Sequence, residues 1–269
     1  MTIKVIVDRH SRAEGCGELF TFVCKYPWFI HPEVLRHRNV SHSVSSTRAI
    51  MITRFIAAVI RDPAMPESWG RNRAGMVAGD ELDRVRVFIL RTLWLSAMWF
   101  AAALAYLAYL LGAHKQIVNR FLMPWAHVND VMTMTRKDLD AMLRLRLRPD
   151  ADPTFSALAF ALKRAADRST PVTLLPGEWH TPLVSEFQQD RIITDSTRIR
   201  CSAAGCARTS YDRHDGKART IMNDVALASR LITDEHWSPF EHQATPAPEG
   251  RAAGNLGKFW HQSRKDFEK

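Results

Sequence analysis

Hydrophobic and polar residues alternate over residues 18–26, ELFTFVCKY, and the run is rich in aromatic and β-branched side chains. A period of two predicts a strand, and Pro27 ends it. His31-Pro32-Glu33 then predicts the start of a short helix, with proline in the first turn, where its missing N–H costs nothing. Arg36, His37 and Arg38 leave the far end of that helix. A Ser/Thr-rich turn follows. Ile50, Ile52, Phe55, Ile56, Val59 and Ile60 then form an apolar pattern that predicts a helix, with Ser45, Ser46 or Thr47 as the expected N-cap and Asp62-Pro63 as the stop. Residues 64–79 hold Pro, Gly and Asn with little periodicity and read as a long loop.

Residues 92–113, TLWLSAMWFAAALAYLAYLLGA, carry no charge and are long enough to span a bilayer. Arg84, Arg86 and Arg91 precede them, and His114 and Lys115 follow. Two features oppose a span. Alanines cluster at 101, 102, 103, 105 and 108, and the pattern runs directly into the charged segment HKQIVNRFL. A helix apolar on every side is equally at home inside an oligomer, and that is the expectation here.

Pro124 should end this helix, and Val128, Val131, Met132 and Met134 read as a short strand. Thr135-Arg136-Lys137-Asp138 resembles a capping box opening a helix through Arg146. Asp152-Pro153 opens another to about Arg168. Residues 170–182 read as loop, Ser196 or Thr197 as the start of a helix through Ser210, 211–216 as loop and 217–231 as an amphipathic helix. The pattern contains no repeat, low-complexity tract or linker, so the expectation is one domain.

Composition changes this picture in one respect. Among 269 residues, 46% are apolar and 24% charged, as in an ordinary globular chain, but the formal charge is +9 and the pI about 9.7. An anionic partner follows: a nucleotide, a nucleic acid or a membrane surface. Lys and Arg are spread along the chain, which weakens the nucleic-acid case. The four cysteines form no C-x-x-C pair, so they read as reduced thiols. The N-terminus, MTIKVIVDRH, lacks the apolar core of a secretion signal, and a cytoplasmic location is expected.

The candidate chemistry begins at Arg36-His37-Arg38, with Ser46 and Arg48 beyond it in the spacing RHR-x7-S-x-R. Guanidinium forks, hydroxyls and helix N-terminal amides all favour phosphate, whereas the tripeptide alone is equally a basic surface loop. HWSPFEH at 236–242 holds His236, Glu241 and His242. H-x4-E-H is not a metal-ligand spacing, and Ser-Pro makes a turn, so a metal site and a polar loop both stand as readings. CARTSY occupies 206–211.

Together these three segments resemble the RHR-x7-S-x-R, H-x-S-P-F-E-H and C-A-R-V-S-Y signatures of the flavin-dependent (ThyX-type) thymidylate synthases. Chain order differs from the usual members: Phe20-Thr21-Phe22 and RHR open the chain, while CARTSY and HWSPFEH close it. The resemblance is therefore to a circularly permuted, phage-type arrangement. It implies an α+β fold, a small antiparallel sheet with long helices, and a homotetramer with sites between subunits. The implied reaction is reductive methylation of dUMP to dTMP, with carbon from methylenetetrahydrofolate and FAD reduced by NADPH. By position, Ser46 and Arg48 would meet the nucleotide phosphate; Arg120, in RFLMP, which resembles the family's R-x-x-L-P helix end, and Arg146, in Leu145-Arg146, which resembles its later L-R, would also hold the nucleotide. Arg36, His37, Arg38, His236 and Glu241 would hold the flavin, with Arg120 and His37 closest to the chemistry. His236 and Glu241 should then face RHR across one cavity, within one subunit or across an interface, and residues 241–244 should approach 19–22, with extension of that strand as one way to do so.

Several residues depart from the family pattern. Glu33 stands for a usual glutamine, Val44 for a nucleotide-contacting glutamate and Ala49 for a tyrosine, and Thr135 and Ala141 lie near the places of the flavin-binding asparagines. Those changes leave open a different one-carbon transfer, such as hydroxymethylation, or a non-catalytic nucleotide- or nucleic-acid-binding relative. A membrane protein is the remaining alternative.

Overall fold

Phe20, Phe22, Cys24 and Tyr26 lie on one face of a strand, and Leu19, Thr21 and Val23 on the other, as the alternation requires. The computed structural model describes residues 3–185, 194–210, 219–250, 252 and 254–268. In it, residues Lys4–Ala13 form β1, which the pattern left unassigned, and Gly17–Pro27 form β2. The two pair as a hairpin, Ala13 opposite Gly17, and Gly15 and Gly17 carry the turn at φ of 71° and 78°.

The short helix α1 is His31–Val34, and beyond RHR the chain forms strand β3, Ser41–Val44, where a turn was expected. Helix α2 spans Ile52–Arg61. It starts later than its hydroxyl residues indicated, because the Asn119 amide donates to the Thr47 and Ile50 carbonyls and holds 47–50 as a turn. Residues 64–79 contain no helix, and helix α3 then runs from Arg84 to Leu110.

The chain does not continue helically into HKQIVNRFL. Gly112 adopts φ 83°, and His114 caps a new helix, α4 (Lys115–Val118), followed by 3-10 turns over Asn119–Trp125. Strand β4 is His127–Thr135. Helices α5 (Arg136–Arg146) and α6 (Pro153–Arg168) begin at the anticipated caps, Thr135 and Asp152, whose side chains accept from the amides of Asp138 and Phe155. The rest comprises β5 (Val172–Thr173), α7 (Asp195–Ala207), α8 (Ile221–Thr233), a 3-10 turn Ser238–Glu241, β6 (Ala244–Pro246), β7 (Trp260–Gln262) and α9 (Arg264–Phe267). The loop expected at 211–216 lies outside the described residues.

The protein is α+β, with a small five-stranded sheet in the order β3-β4-β2-β1-β5 and long helices. The expectation of an antiparallel sheet is corrected at one edge. After α6 the chain runs along β1 in the same direction, Ser11 opposite Val172, so the sheet is mixed. One face packs Phe20, Phe22, Met132 and Met134 against Leu139, Phe155 and Leu158 of α5 and α6. Each such side chain contributes roughly 1.5–3 kcal/mol on burial. The opposite face carries Ser11, Thr21, Thr133 and Ser43 beneath the C-terminal segments. There β6 pairs with β7 in a separate ribbon and does not extend β2, although Ala244 packs with Leu19 and Trp260.

Candidate functional site

Strand β3 carries Ser43 and Val44 to the rim of a cleft of about 860 Å³, and the turn after it adds Ser46. The other walls are Cys206, Ala207 and Arg208 at the end of α7, Leu227 and Arg230 of α8, and residues 234–239. The cleft therefore gathers one part of each of the three sequence segments: Ser46, Cys206-Ala207-Arg208 and His236-Trp237-Ser238-Pro239. Pro239 and Phe240 are buried, which anchors the 3-10 turn and leaves His236 exposed at the opening.

Charge in this cleft is built on a buried carboxylate. Asp224 of α8 has no exposed side-chain surface; Arg208 Nη2 donates to its Oδ1 at 2.6 Å, and Arg219 Nη2 to its Oδ2 at 2.8 Å. Two guanidiniums on one carboxylate leave net positive charge beside the cleft, and exposed Arg230 adds another. Asp234 and Glu235, just past Arg230 at the end of α8, bring two negative charges into the same lining. Ser43, Ser46, Arg208 and Arg230 make a donor set suited to a phosphate or a similar oxyanion. Cys206 is no nucleophile here: burial pushes its thiol far above the usual range, and Gln243 Nε2 approaches Sγ at 3.7 Å.

The nucleotide-side residues expected from sequence divide into two places. The turn holding Ser46 and Arg48 is closed by the Arg48 amide on Ser46 Oγ, at 3.3 Å, and is bound to α4 by Lys115 and to the 3-10 segment by Asn119. Arg120 follows Asn119 directly, so Arg48 and Arg120 are exposed on neighbouring turns, although neither lines the cleft. Arg146 is elsewhere. Its Nε donates to His37 Nε2 at 3.1 Å, its Nη1 to Glu33 at 3.0 Å, and its guanidinium lies 4.3 Å from the Phe155 ring centre.

The flavin-side residues do not meet in the cleft. Arg36 and Arg38 are exposed outside its lining, and burial, the Arg146 cation and His42 hold His37 down to about 4. Glu241 is ion-paired with Arg264 of α9. His236 therefore shares its cavity with Ser43 and Ser46 rather than with RHR. Thr135 is engaged in capping α5. Within one chain, then, the residues fit a phosphate-bearing ligand, and the set expected to hold a flavin is not assembled.

Sequence reasoning missed two features. Arg230 reads as an ordinary basic residue in the last turn of a helix, and nothing in its spacing marks it. Asp130 had a signal: a carboxylate among the apolar residues of β4. It is fully buried, and its Oδ2 accepts from Tyr26 Oη and from His42 Nδ1, both at 2.8 Å. Tyr26 Oη also meets His31 Nδ1 at 2.9 Å, and burial with Asp130 drives the phenol far above its usual range. Among the described residues no group of three His, Cys, Asp or Glu side chains could hold a metal ion.

No protein-family model matches this chain, and no curated protein does. Fold and cleft by themselves define an α+β protein with a hydroxyl-bearing cleft of mixed charge, two arginines and two carboxylates in its lining, beside its sheet edge.

Proposed function

We propose that this cleft binds a pyrimidine nucleoside monophosphate, dUMP or a close relative, and that the chain is a permuted protein of the flavin-dependent thymidylate synthase type. The observation that carries the reading is the meeting of Ser46, Arg208 and His236 in one cleft, each from a different segment resembling that family. Accidental motif matches have no reason to converge in space. Ser43, Ser46, Arg208 and Arg230 bind the phosphate by charge-assisted hydrogen bonds.

FAD, when bound, would supply hydride for reductive methylation with methylenetetrahydrofolate, and NADPH would reduce it. A single chain offers that group no assembled cradle, so the flavin site in this reading needs a second copy against the exposed Arg36 and Arg38. Helix α3 supports such a copy. Along its 27 residues only Met98, Ala102 and Ala105 are buried, against α2 and Leu122, while Phe88, Leu93, Trp99, Phe100 and Leu107 are exposed. Its length and composition also suit a membrane. However, Trp94 Nε1 donates to Ala64 O, and Trp125 Nε1 to Trp94 O, which fixes the helix lengthwise against the domain. A helix held sideways in this way is better covered by another copy than by lipid.

A second reading, a nucleotide-binding protein without flavin chemistry, is favoured by the engagement of Glu241 with Arg264 and of His37 with Arg146. Titration calorimetry with dUMP, followed by an absorbance titration with FAD, separates the readings. Binding of both supports the enzyme, and dUMP alone supports the second reading. Neither ligand binding at millimolar concentration overturns both. Arg230→Ala, at an exposed position, is expected to weaken dUMP about ten- to a hundredfold.

A further inference from the structure

Six buried side chains form an unbroken hydrogen-bonded row across the sheet face beneath the cleft. Ser11 Oγ meets His180 Nδ1 at 2.8 Å, and His180 Nε2 meets Thr21 Oγ1 at 2.8 Å. Thr21 Oγ1 lies 2.6 Å from Thr133 Oγ1, which lies 2.8 Å from His242 Nδ1. His242 Nε2 ends the row on Ser43 Oγ at 2.9 Å, and Ser43 lines the cleft. Strands β1, β2, β4 and β3 each contribute one hydroxyl, and the two imidazoles come from the loop after β5 and from the end of HWSPFEH.

Both rings are neutral at physiological pH. Burial, with His42 nearby, brings His242 down to about 3, and burial, with Arg9 nearby, brings His180 well below the usual histidine range. A neutral imidazole has one N–H and one lone pair, and a hydroxyl has one hydrogen to give. Every interior member of the row bonds on both sides: each ring must donate on one side and accept on the other, and a threonine that gives its hydrogen along the row passes the same direction on. Two arrangements make every bond and use every interior hydrogen within the row. In one, Ser11 donates to His180, both rings are protonated at Nε2, and His242 donates to Ser43, leaving the Ser43 hydrogen for the cleft. In the other, every bond is reversed, both rings are protonated at Nδ1, and Ser43 spends its hydrogen on His242, leaving a lone pair for the cleft. One mixed arrangement sets the two threonine oxygens face to face as acceptors; in the other, one threonine accepts from both neighbours and its own hydrogen is left without an acceptor in the row, which is costly in a buried site.

We propose that this row is a two-state hydrogen-bond relay that sets Ser43 as either a donor or an acceptor toward the ligand in the cleft. A carbonyl or phosphate oxygen against Ser43 selects the Nε2–H state, and a ring or amide N–H selects the Nδ1–H state, each by population shift. The relay lets one serine serve two ligand polarities with no change in net charge. Its logic is independent of which molecule the cleft takes.

The test uses the full chain with 15N-labelled histidine, at pH 7, without ligand. Two-bond 1H–15N correlation spectra identify the protonated nitrogen of each ring. The expected wild-type result is the same tautomer, or the same tautomer ratio, for His180 and His242. Ser11→Ala removes the partner of His180 Nδ1, and because a buried orphan N–H is worse than an orphan acceptor, both rings move to Nε2–H. Ser43→Ala moves both to Nδ1–H. Thr133→Val cuts the row, and after it Ser43→Ala no longer affects His180. Opposite tautomers in the wild type overturn the proposal. So does a Ser43→Ala change confined to His242 in a protein whose amide dispersion shows it folded.

Discussion

Arg146 Nε donates to His37 Nε2 at 3.1 Å, so the central histidine of the RHR segment is an acceptor at Nε2 and carries its proton on Nδ1. Phe155 closes the site, its ring edge-on to His37 and beneath the Arg146 guanidinium. A cation against a half-buried imidazole opposes protonation, in line with a value of about 4. Replacing Arg146 with Met keeps the apolar stem and removes the cation. The His37 titration followed by NMR should then rise by about one pH unit. A midpoint unchanged from wild type would show that burial alone sets it.

Acid should destabilise the fold through its histidines. His242 titrates at about 3, His37 and His127 at about 4, and His180 lower than usual, all depressed chiefly by burial. As pH falls below about 6.5 the unfolded chain takes up protons that the native state refuses, so stability declines. The loss continues through the folded values and levels off once the native rings are protonated. Thermal unfolding across pH 7 to 3 should show Tm falling steadily from about 6.5 downward. A flat Tm between pH 6.5 and 4 would contradict the buried, neutral assignment.

The Arg208–Asp224–Arg219 triad gives a stability prediction tied to the cleft. Asp224→Ala leaves two largely buried guanidiniums without their carboxylate, a loss of about 3–5 kcal/mol in a buried pair. Urea unfolding should register it, and Arg208 should lose its fixed position beside the cleft. A change under about 1 kcal/mol would mean that water compensates the arginines.

Gly205 of α7 fills a place where no side chain fits. A Cβ there would lie 2.7 Å from the Leu183 carbonyl oxygen and 2.8 Å from its Cβ, and Leu183 itself sits at φ 57°. Backbone, not a flexible side chain, is the obstacle. Gly205→Ala should cost about 1–3 kcal/mol by overpacking despite the better helix propensity of alanine. Equal or greater stability in urea would show that the 183 turn yields freely.

The outward face of α3 should be an interface between copies. Phe100 and Leu104 sit one turn apart and are 69% and 38% exposed. Sedimentation of the wild type without detergent should give an oligomer, and Phe100→Glu with Leu104→Glu should give a monomer. A wild-type monomer, or a protein needing detergent, would remove the interface.

Local chemistry determined much of the architecture. The alternation of 18–26 marked β2, Thr135 and Asp152 marked the starts of α5 and α6, and Pro27 and Asp62 marked ends, because periodicity and capping act within a few residues. The spacing of RHR-x7-S and the histidine turn marked segments that do reach one cleft at Ser46 and His236.

Tertiary structure decided the rest. Whether Arg146 faces a ligand or His37, whether Glu241 is free or held by Arg264, and whether β5 runs with or against β1 all depend on partners distant in sequence. The hydroxyls of Ser11, Thr21, Thr133 and Ser43 look like ordinary strand polar residues in the chain. Only pairing in register lines them up with His180 and His242, since a hydrogen bond depends on positions in space that no local pattern encodes.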